Sequence, residues 1–280
     1  MRRTRALRLT TTAGVALTAL TALTACSGST AKTASDAASK GVSGAKSAVV
    51  SVADALSLTT KKTSSFSAAK MNMTMVIPKV GTSTMNGTVS YKPVALDATM
   101  TNPQLPGTMR LLMSGTTEYV NMGATGAKEF GGKHWLKIDF SELGAGGKAL
   151  ADSINRSGSQ DPSTSVKLLT SSGDIRRVGT ETVDGVSTTH YSGTVDVKKL
   201  VSSDPGLKAI ADQAAKSGMT TETVDMWVND QSLPVKVHET ATTSQGTMDI
   251  TIHYSDFSNT PVTITAPPAS DTEDLASLSK

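Results

Sequence analysis

The chain is poor in cysteine and in aromatic residues. One cysteine, Cys26, is present among 280 residues. An intramolecular disulfide is therefore impossible, and a cysteine-rich zinc cluster is excluded. Aromatic residues make up only 4% of the chain, which argues against a broad stacking surface for bases or sugars. The stability of the protein must come from a core of aliphatic and methionine side chains.

A strong charge of either sign is also lacking. The formal net charge is +3, but four of the arginines lie within the first eight residues. If this segment is removed on export, 23 basic residues face 24 acidic ones. A nearly neutral chain gives no support for nucleic-acid binding.

The residue patterns of common catalytic and metal sites are missing as well. The four histidines, His134, His190, His238 and His253, are scattered and form no metal-binding spacing. The chain has no GxSxG nucleophile motif and no phosphate-binding glycine loop. We therefore expect no enzymatic activity, no cofactor and no metal.

The N-terminus carries the pattern of an export signal. A basic start is followed by the uncharged, mostly apolar segment TTAGVALTALTALTA, residues 11–25. This segment is too short and too rich in threonine for a typical membrane-spanning helix, which favours a signal peptide. It ends in LTAC, which resembles a bacterial lipobox and predicts a lipid anchor on Cys26.

Composition divides the chain into four parts. We expect a signal peptide at residues 1–25 and a lipidated Cys26 followed by a flexible Ser-, Ala-, Gly- and Thr-rich tether to residue 44. A single folded domain is expected at 45–265, and a loose tail at 266–280. The protein is expected on the extracytoplasmic face of the cell membrane.

Period-two alternation of apolar and polar residues predicts eleven strands, joined mostly by short, turn-rich connections. The Asp184–Gly185 pair between two of them indicates a tight hairpin. The predicted strands are 66–77, 83–91, 94–101, 108–114, 116–122, 134–140, 175–183, 186–196, 221–229, 233–243 and 246–256.

Helical periodicity appears in four segments. We expect helices at 45–58, near 146–156, from Pro162 with Asp161 as N-cap, and at 206–217. Together with the strands, they predict one α+β domain with a long antiparallel sheet.

Two segments resemble a known family. These are GTETVDGV with THY in the hairpin at 179–191, and WVND with LPVKV at 227–237. Together with the lipobox, they are similar to the actinobacterial LppX/LprG-type lipoproteins and, more distantly, to the LolA/LolB fold. The resemblance implies a curved, half-open antiparallel barrel with helices packed on its concave side. It also implies that acylated lipids are held between sheet and helices, and it implies no catalytic residues.

Methionine is concentrated in the first half of the predicted sheet. Eight of the twelve methionines fall between residues 71 and 122. Methionine is unbranched and adapts to irregular shapes, which suits a cavity that repacks around acyl chains. The alternative is that these methionines fill an ordinary core. The candidate cavity residues are Met71, Met73, Met75, Ile77, Met85, Met100, Met109, Met113, Leu207 and Ile210.

Two functions remain open from the sequence. The first is an anchored envelope lipoprotein that binds or transfers an acylated lipid or glycolipid in a hydrophobic cavity. The alternative is a sensory or partner-binding envelope lipoprotein on the same fold, with a collapsed core and no lipid ligand. The sequence identifies neither the ligand nor any envelope transporter or partner protein.

The lipobox predicts that Cys26→Ser removes the anchor. Because two acyl chains hold a protein stably at a membrane, the loss of the modified thiol should move the protein into the soluble fraction or leave the signal uncleaved. Membrane fractionation and gel mobility measure this. A mutant that fractionates and migrates like the wild type would contradict the lipobox assignment.

Overall fold

A computed structural model describes residues 51–278, except 105–106, 145–146, 149–150, 153–161, 198–199, 201–206, 208–210, 213 and 215–217. Residues 48–280 belong to one compact unit. Cys26, the predicted signal, the tether and most of the helix predicted near 146–156 lie outside the described residues.

The described residues form twelve strands and four α-helices whose two ends are both defined. The helices are α1 (Val52–Thr63), α2 (Gly123–Ala127), α3 (Pro162–Thr170) and α4 (Leu275–Leu278). The strands are β1 (Ala68–Ile77), β2 (Gly81–Tyr91), β3 (Val94–Thr101), β4 (Thr108–Ser114), β5 (Thr117–Asn121), β6 (Trp135–Asp139), β7 (Arg176–Val183), β8 (Val186–Asp196), β9 (Thr221–Asn229), β10 (Pro234–Thr243), β11 (Gly246–Ser258) and β12 (Thr272–Asp274).

All twelve strands lie in one open sheet, in the order β12-β6-β5-β4-β3-β2-β1-β11-β10-β9-β8-β7. Two antiparallel meanders, β1–β6 and β7–β11, are joined where β1 pairs with β11. The eleven predicted strands are present with bounds that differ by at most two residues. The predicted α+β class with a long antiparallel sheet is confirmed, while helix packing on a concave side stays a prediction.

The predicted tight hairpin forms between β7 and β8. Asp184 and Gly185 both have positive φ, at 51° and 79°. Positive φ at both central residues is what a type I′ turn requires, and it matches the twist of the flanking strands.

The first helix differs from its prediction. It runs over Val52–Thr63 rather than ending at residue 58, and residues 45–50 lie outside the described part. Ser51 sets its start because its side chain accepts a hydrogen bond from the Asp54 backbone N–H at 3.1 Å. Lys61 and Lys62 in the last turn favour the longer helix through the helix dipole.

The C-terminal segment also differs from its prediction. The expected loose tail does not describe residues 272–278, where β12 pairs in parallel with β6 and α4 follows. Lys133 Nζ lies 2.6 Å from Glu273 Oε2, and Lys137 Nζ lies 2.9 Å from Asp274 Oδ2. These charged pairs connect the segment to the residues just before β6 and to the middle of β6. Sequence alternation did not predict β12, because a strand of three residues is too short to show a period of two.

The two faces of the sheet have opposite character. In β1, Met71 and Met73 are buried while Asn72 and Thr74 are exposed. Helix α3 lies on the methionine side of the sheet, since its Ser165 Oγ donates to Glu239 Oε1 at 2.8 Å. Glu239 of β10 shares this side with Met75, because both stand opposite Ile250 of β11. Gly193 lets α3 approach β8, because an added Cβ would stand 3.0 Å from Leu169 Cδ1. We call this side the helix face and the other side the polar face.

The core lies between the helices and the helix face. Leu56 from α1 and Val166 and Leu169 from α3 are fully buried there. They belong to the same hydrophobic cluster as Met71 and Met73.

This packing predicts different effects of two leucine truncations in α1. Leu56→Ala should lower the free energy of unfolding by about 2–5 kcal/mol, because it leaves a cavity in the core. Leu58 is 46% exposed on the same helix, so Leu58→Ala should cost less than about 0.5 kcal/mol. Urea unfolding measures both, and equal costs would contradict the placement of α1.

Candidate functional site

The methionines of β1–β4 share the helix face through the strand register. Met73 stands opposite Met85 of β2 on one side and Ile252 of β11 on the other. Met85 in turn stands opposite Met100, and Met100 opposite Met109. Directly opposed residues have Cβ atoms about 5 Å apart, so these side chains form a continuous row across the strands.

Burial along this face is graded. Met71 and Met73 are 3% and 4% exposed and lie in the core cluster. Met75 and Met85 are only partly buried and pack against its edge. Of the other candidate residues, Met109 and Met113 are buried, whereas Met100 and Ile77 are partly exposed. The apolar face therefore runs from a closed core to an open rim.

Of the two candidate residues from the helix predicted at 206–217, one lies in the described part of the chain. Leu207 is 7% exposed and joins the same cluster as Met71 and Met73. Ile210 lies outside the described residues, as does most of the helix predicted at 206–217.

An apolar pocket adjoins the rim. It has a volume of about 390 Å³ and lies between the β1–β2 turn and the β10–β11 turn. Lys79 Nζ donates to Gln245 Oε1 at 2.8 Å and connects the two turns. The residues that line the pocket are Ile77, Pro78, Lys79, Val80, Thr243, Gln245 and Met248. We call it the rim pocket.

Carboxyl groups interrupt the apolar side of β9 and β10. Glu239 stands opposite Ile250, which stands opposite Met75, so two strand spacings separate this acid from the methionines. Glu222 occupies the next row, opposite Ala241. Sequence analysis missed both residues, although period-two alternation in TETVDMWV places Glu222 on the same face as Val224 and Met226.

Burial raises the pKa values of these acids and disfavours their charged form. It raises the pKa of Glu222 to about 8, and repulsion from Glu239 adds to the rise. Burial also raises the pKa of Glu239, although the hydrogen bond from Ser165 acts in the opposite direction. Glu118 of β5, whose pKa is likewise raised by burial, lies on the same face opposite Met113. The direction of these three pKa shifts reflects the apolar surroundings of the helix face.

The neighbouring residues His238 and Glu239 do not form an acid–base pair on one face of the sheet. His238 and Glu239 are adjacent but point to opposite faces, since His238 Nε2 lies 2.7 Å from Asp249 Oδ2. Within the described ranges, no three His, Cys, Asp or Glu side chains group as a metal site. No helix among those described is long and apolar enough to cross a membrane.

The buried Glu222 predicts a pH-dependent stability. Its pKa is about 8 in the folded protein against an ordinary value of 4.5, so the folded state binds this proton more tightly than the unfolded chain. The resulting stabilisation is complete below pH 4.5 and is lost as the pH rises to about 8. Glu222→Gln should therefore gain about 1–3 kcal/mol of relative stability between pH 5 and pH 9.

Denaturant unfolding of wild type and mutant at both pH values measures this difference. The matched control is Glu129→Gln, because Glu129 is exposed. A mutant whose stability stays parallel to that of the wild type across the range would show that Glu222 is not held neutral.

Two Streptomyces proteins are similar to this chain. An uncharacterized 31.2 kDa protein of Streptomyces griseus is 42% identical over 171 residues, which cover 58% of this chain and 55% of the relative. A candidate lipoprotein of Streptomyces coelicolor is 37% identical over 164 residues, covering 57% of this chain and 49% of the relative. The chain thus spans about half the length of the curated relatives that it matches. No family model matches it.

Among solved structures, the lipoprotein LppX of Mycobacterium tuberculosis matches 77% of this chain and the whole of its own. The identity is 16% and the TM-score is 0.49. The sequence-based resemblance to the LppX/LprG-type lipoproteins names the same kind of protein as this match.

Proposed function

We propose that this chain is an envelope lipoprotein, anchored through Cys26, that binds or transfers acylated lipids along its helix face. The observation that carries the proposal is the gradient of methionine burial, from the buried Met71 and Met73 to the partly buried Met75 and Met85, together with the rim pocket that Ile77 of β1 lines. The 37% identical Streptomyces coelicolor relative, itself a candidate lipoprotein, supports the anchoring part.

The rim pocket alone is small for a lipid. Ligand pockets commonly measure about 300–1,000 Å³, and its 390 Å³ lies at the lower end of that range. Part of an acyl chain would fit there, and the remainder would displace the half-buried methionines. Unbranched side chains can make such a movement with little strain.

Acyl-chain burial supplies enough free energy for this binding. One buried CH₂ contributes about 0.8 kcal/mol, so a chain of about sixteen carbons contributes on the order of 12 kcal/mol before costs. Association and ordering remove a large share of this gain. Affinity in the micromolar range follows without a charged contact to the ligand, which agrees with acids on this face whose charged form burial disfavours.

A second function is favoured by a different observation. Met71 and Met73 belong to one buried hydrophobic cluster with Leu56, Val166 and Leu169. A core closed in this way suits a sensory or partner-binding lipoprotein that carries no lipid. Native mass spectrometry of gently extracted protein separates the two functions, because the first requires a co-purifying lipid.

A bulky side chain at the rim tests the lipid proposal. Met85→Trp should lower the affinity for a fluorescent fatty acid at least tenfold, because the indole fills space that the acyl chain needs. Its free energy of unfolding should change by less than about 1 kcal/mol. In a filled core, the same change would cost about 1–3 kcal/mol through overpacking.

The control is Val76→Trp. Val76 is 40% exposed on the polar face of β1, so this variant should bind the fatty acid like the wild type. A wild type that binds no fatty acid, together with a destabilised Met85→Trp, would overturn the proposal.

A further inference from the structure

A second and larger cavity opens on the polar face. It is a cleft of about 1170 Å³, with β1, β2 and β11 as its floor. Its wall is formed by Asp184 and Val186 at the β7–β8 hairpin and by Gln231 and Leu233 after β9. The cleft lies across the sheet from the helices, so it is separate from the helix face.

Specific hydrogen bonds hold the wall in place. Asp184 Oδ2 pairs with His253 Nδ1 of β11, although β8, β9 and β10 lie between their strands in the sheet order. The hairpin tip must therefore lean over the polar face. Asn229 Oδ1 accepts from the backbone N–H groups of Gln231 and Leu233, both at 3.0 Å, and fixes the other part of the wall. The position of the wall is thus fixed by hydrogen bonds.

The floor presents side-chain amides and hydroxyls. Asn72 and Asn86 stand directly opposite each other on β1 and β2, and both are exposed. Thr74 and Thr88 line the same cleft. In the part of the chain that the structure describes, neither amide has a hydrogen-bonding partner. Each amide offers two N–H donors and a carbonyl acceptor, which matches hydroxyl groups that both donate and accept.

The charged groups of the cleft are already paired. Lys70 Nζ lies 2.7 Å from Asp256 Oδ2, and His253 is held by Asp184. The hydrogen-bonding groups left for a ligand are therefore neutral. A cleft whose available hydrogen-bonding groups are neutral favours a neutral ligand. An anionic headgroup would need a cluster of lysines and arginines.

One end of the cleft is aromatic. Phe66 and Phe257 have ring centroids 5.6 Å apart, and both are partly exposed and line the cleft. The Tyr254 ring lies 6.3 Å from that of Phe257, but Tyr254 is only 5% exposed, stands opposite Met71 and belongs to the core. Two of the ten Phe, Tyr and Trp residues of the chain are therefore open to a ligand here. A β-bulge at Asp256, where φ is 48°, shifts the register of β11 between the polar floor and these rings.

The architecture disfavours two other ligands. A peptide cannot add as a strand, because the backbones of β1, β2 and β11 are paired on both sides. An acyl chain would leave the amides of Asn72 and Asn86 without partners in a dry contact. Amides and hydroxyls beside aromatic rings suit a sugar, whose hydroxyls bond and whose C–H faces pack against rings.

We infer that this cleft binds a neutral glycan chain. The inference does not depend on lipid binding, because the two cavities lie on opposite faces of the sheet. Although aromatic residues are few in the chain, Phe66 and Phe257 give this cleft an aromatic surface for the C–H faces of a sugar.

Isothermal titration calorimetry on the protein tests the inference. The probes are maltohexaose, cellohexaose, mannohexaose and N-acetylated chitohexaose, with a hyaluronan hexasaccharide as the anionic probe. At least one neutral probe should bind with a dissociation constant below about 1 mM. The double variant Asn72→Ala, Asn86→Ala should weaken that binding at least tenfold, because both floor amides are removed.

The matched control is the double variant Thr82→Ala, Thr108→Ala. Both threonines are exposed on the polar face of β2 and β4, and neither lines the cleft. This variant should bind like the wild type, and all variants should melt within a few degrees of it. The inference is overturned if no neutral probe binds, if hyaluronan binds more tightly, or if the asparagine variant keeps wild-type affinity.

Discussion

The antiparallel pairing of β1 with β11 determines the rest of the structure. It joins two meanders that are distant in sequence into one sheet and sets the register between them. That register places Met73 beside Ile252 on the helix face and Asn72 beside His253 on the polar face. A shift of one residue would exchange the two faces of β1 and destroy both surfaces. The apolar rim and the polar cleft are therefore two consequences of one set of backbone hydrogen bonds.

The helix face combines adaptable apolar side chains with acids whose charged form burial disfavours. Methionine side chains pack less rigidly than branched ones, so they form a surface that can change shape. Glu222 and Glu239 would oppose burial if they were charged, which is why their raised pKa values agree with an apolar surrounding. The proposed lipid would link binding to stability, because it would shield these groups from water.

The sequence predicted the strands well, since alternation reports directly on which residues share a face. Met71, Met73 and Met75 could be assigned to one surface from their spacing alone. Glu222 could have been found in the same way, because it alternates with Val224 and Met226. The contact of Asp184 with His253 could not be predicted, since it depends on how far the sheet curls across three intervening strands. The parallel β12 was missed because three residues carry too little alternation, and the extent of α1 depended on the side chain of Ser51.

Photocrosslinking with a diazirine-labelled palmitate tests the central claim most directly. After irradiation and proteolysis, mass spectrometry maps the labelled residues on the protein. The proposed lipid site predicts label on Met75, Met85, Met100 and Ile250, with competition by unlabelled palmitate. Label confined to the polar face, or labelling that unlabelled palmitate does not reduce, would contradict the account.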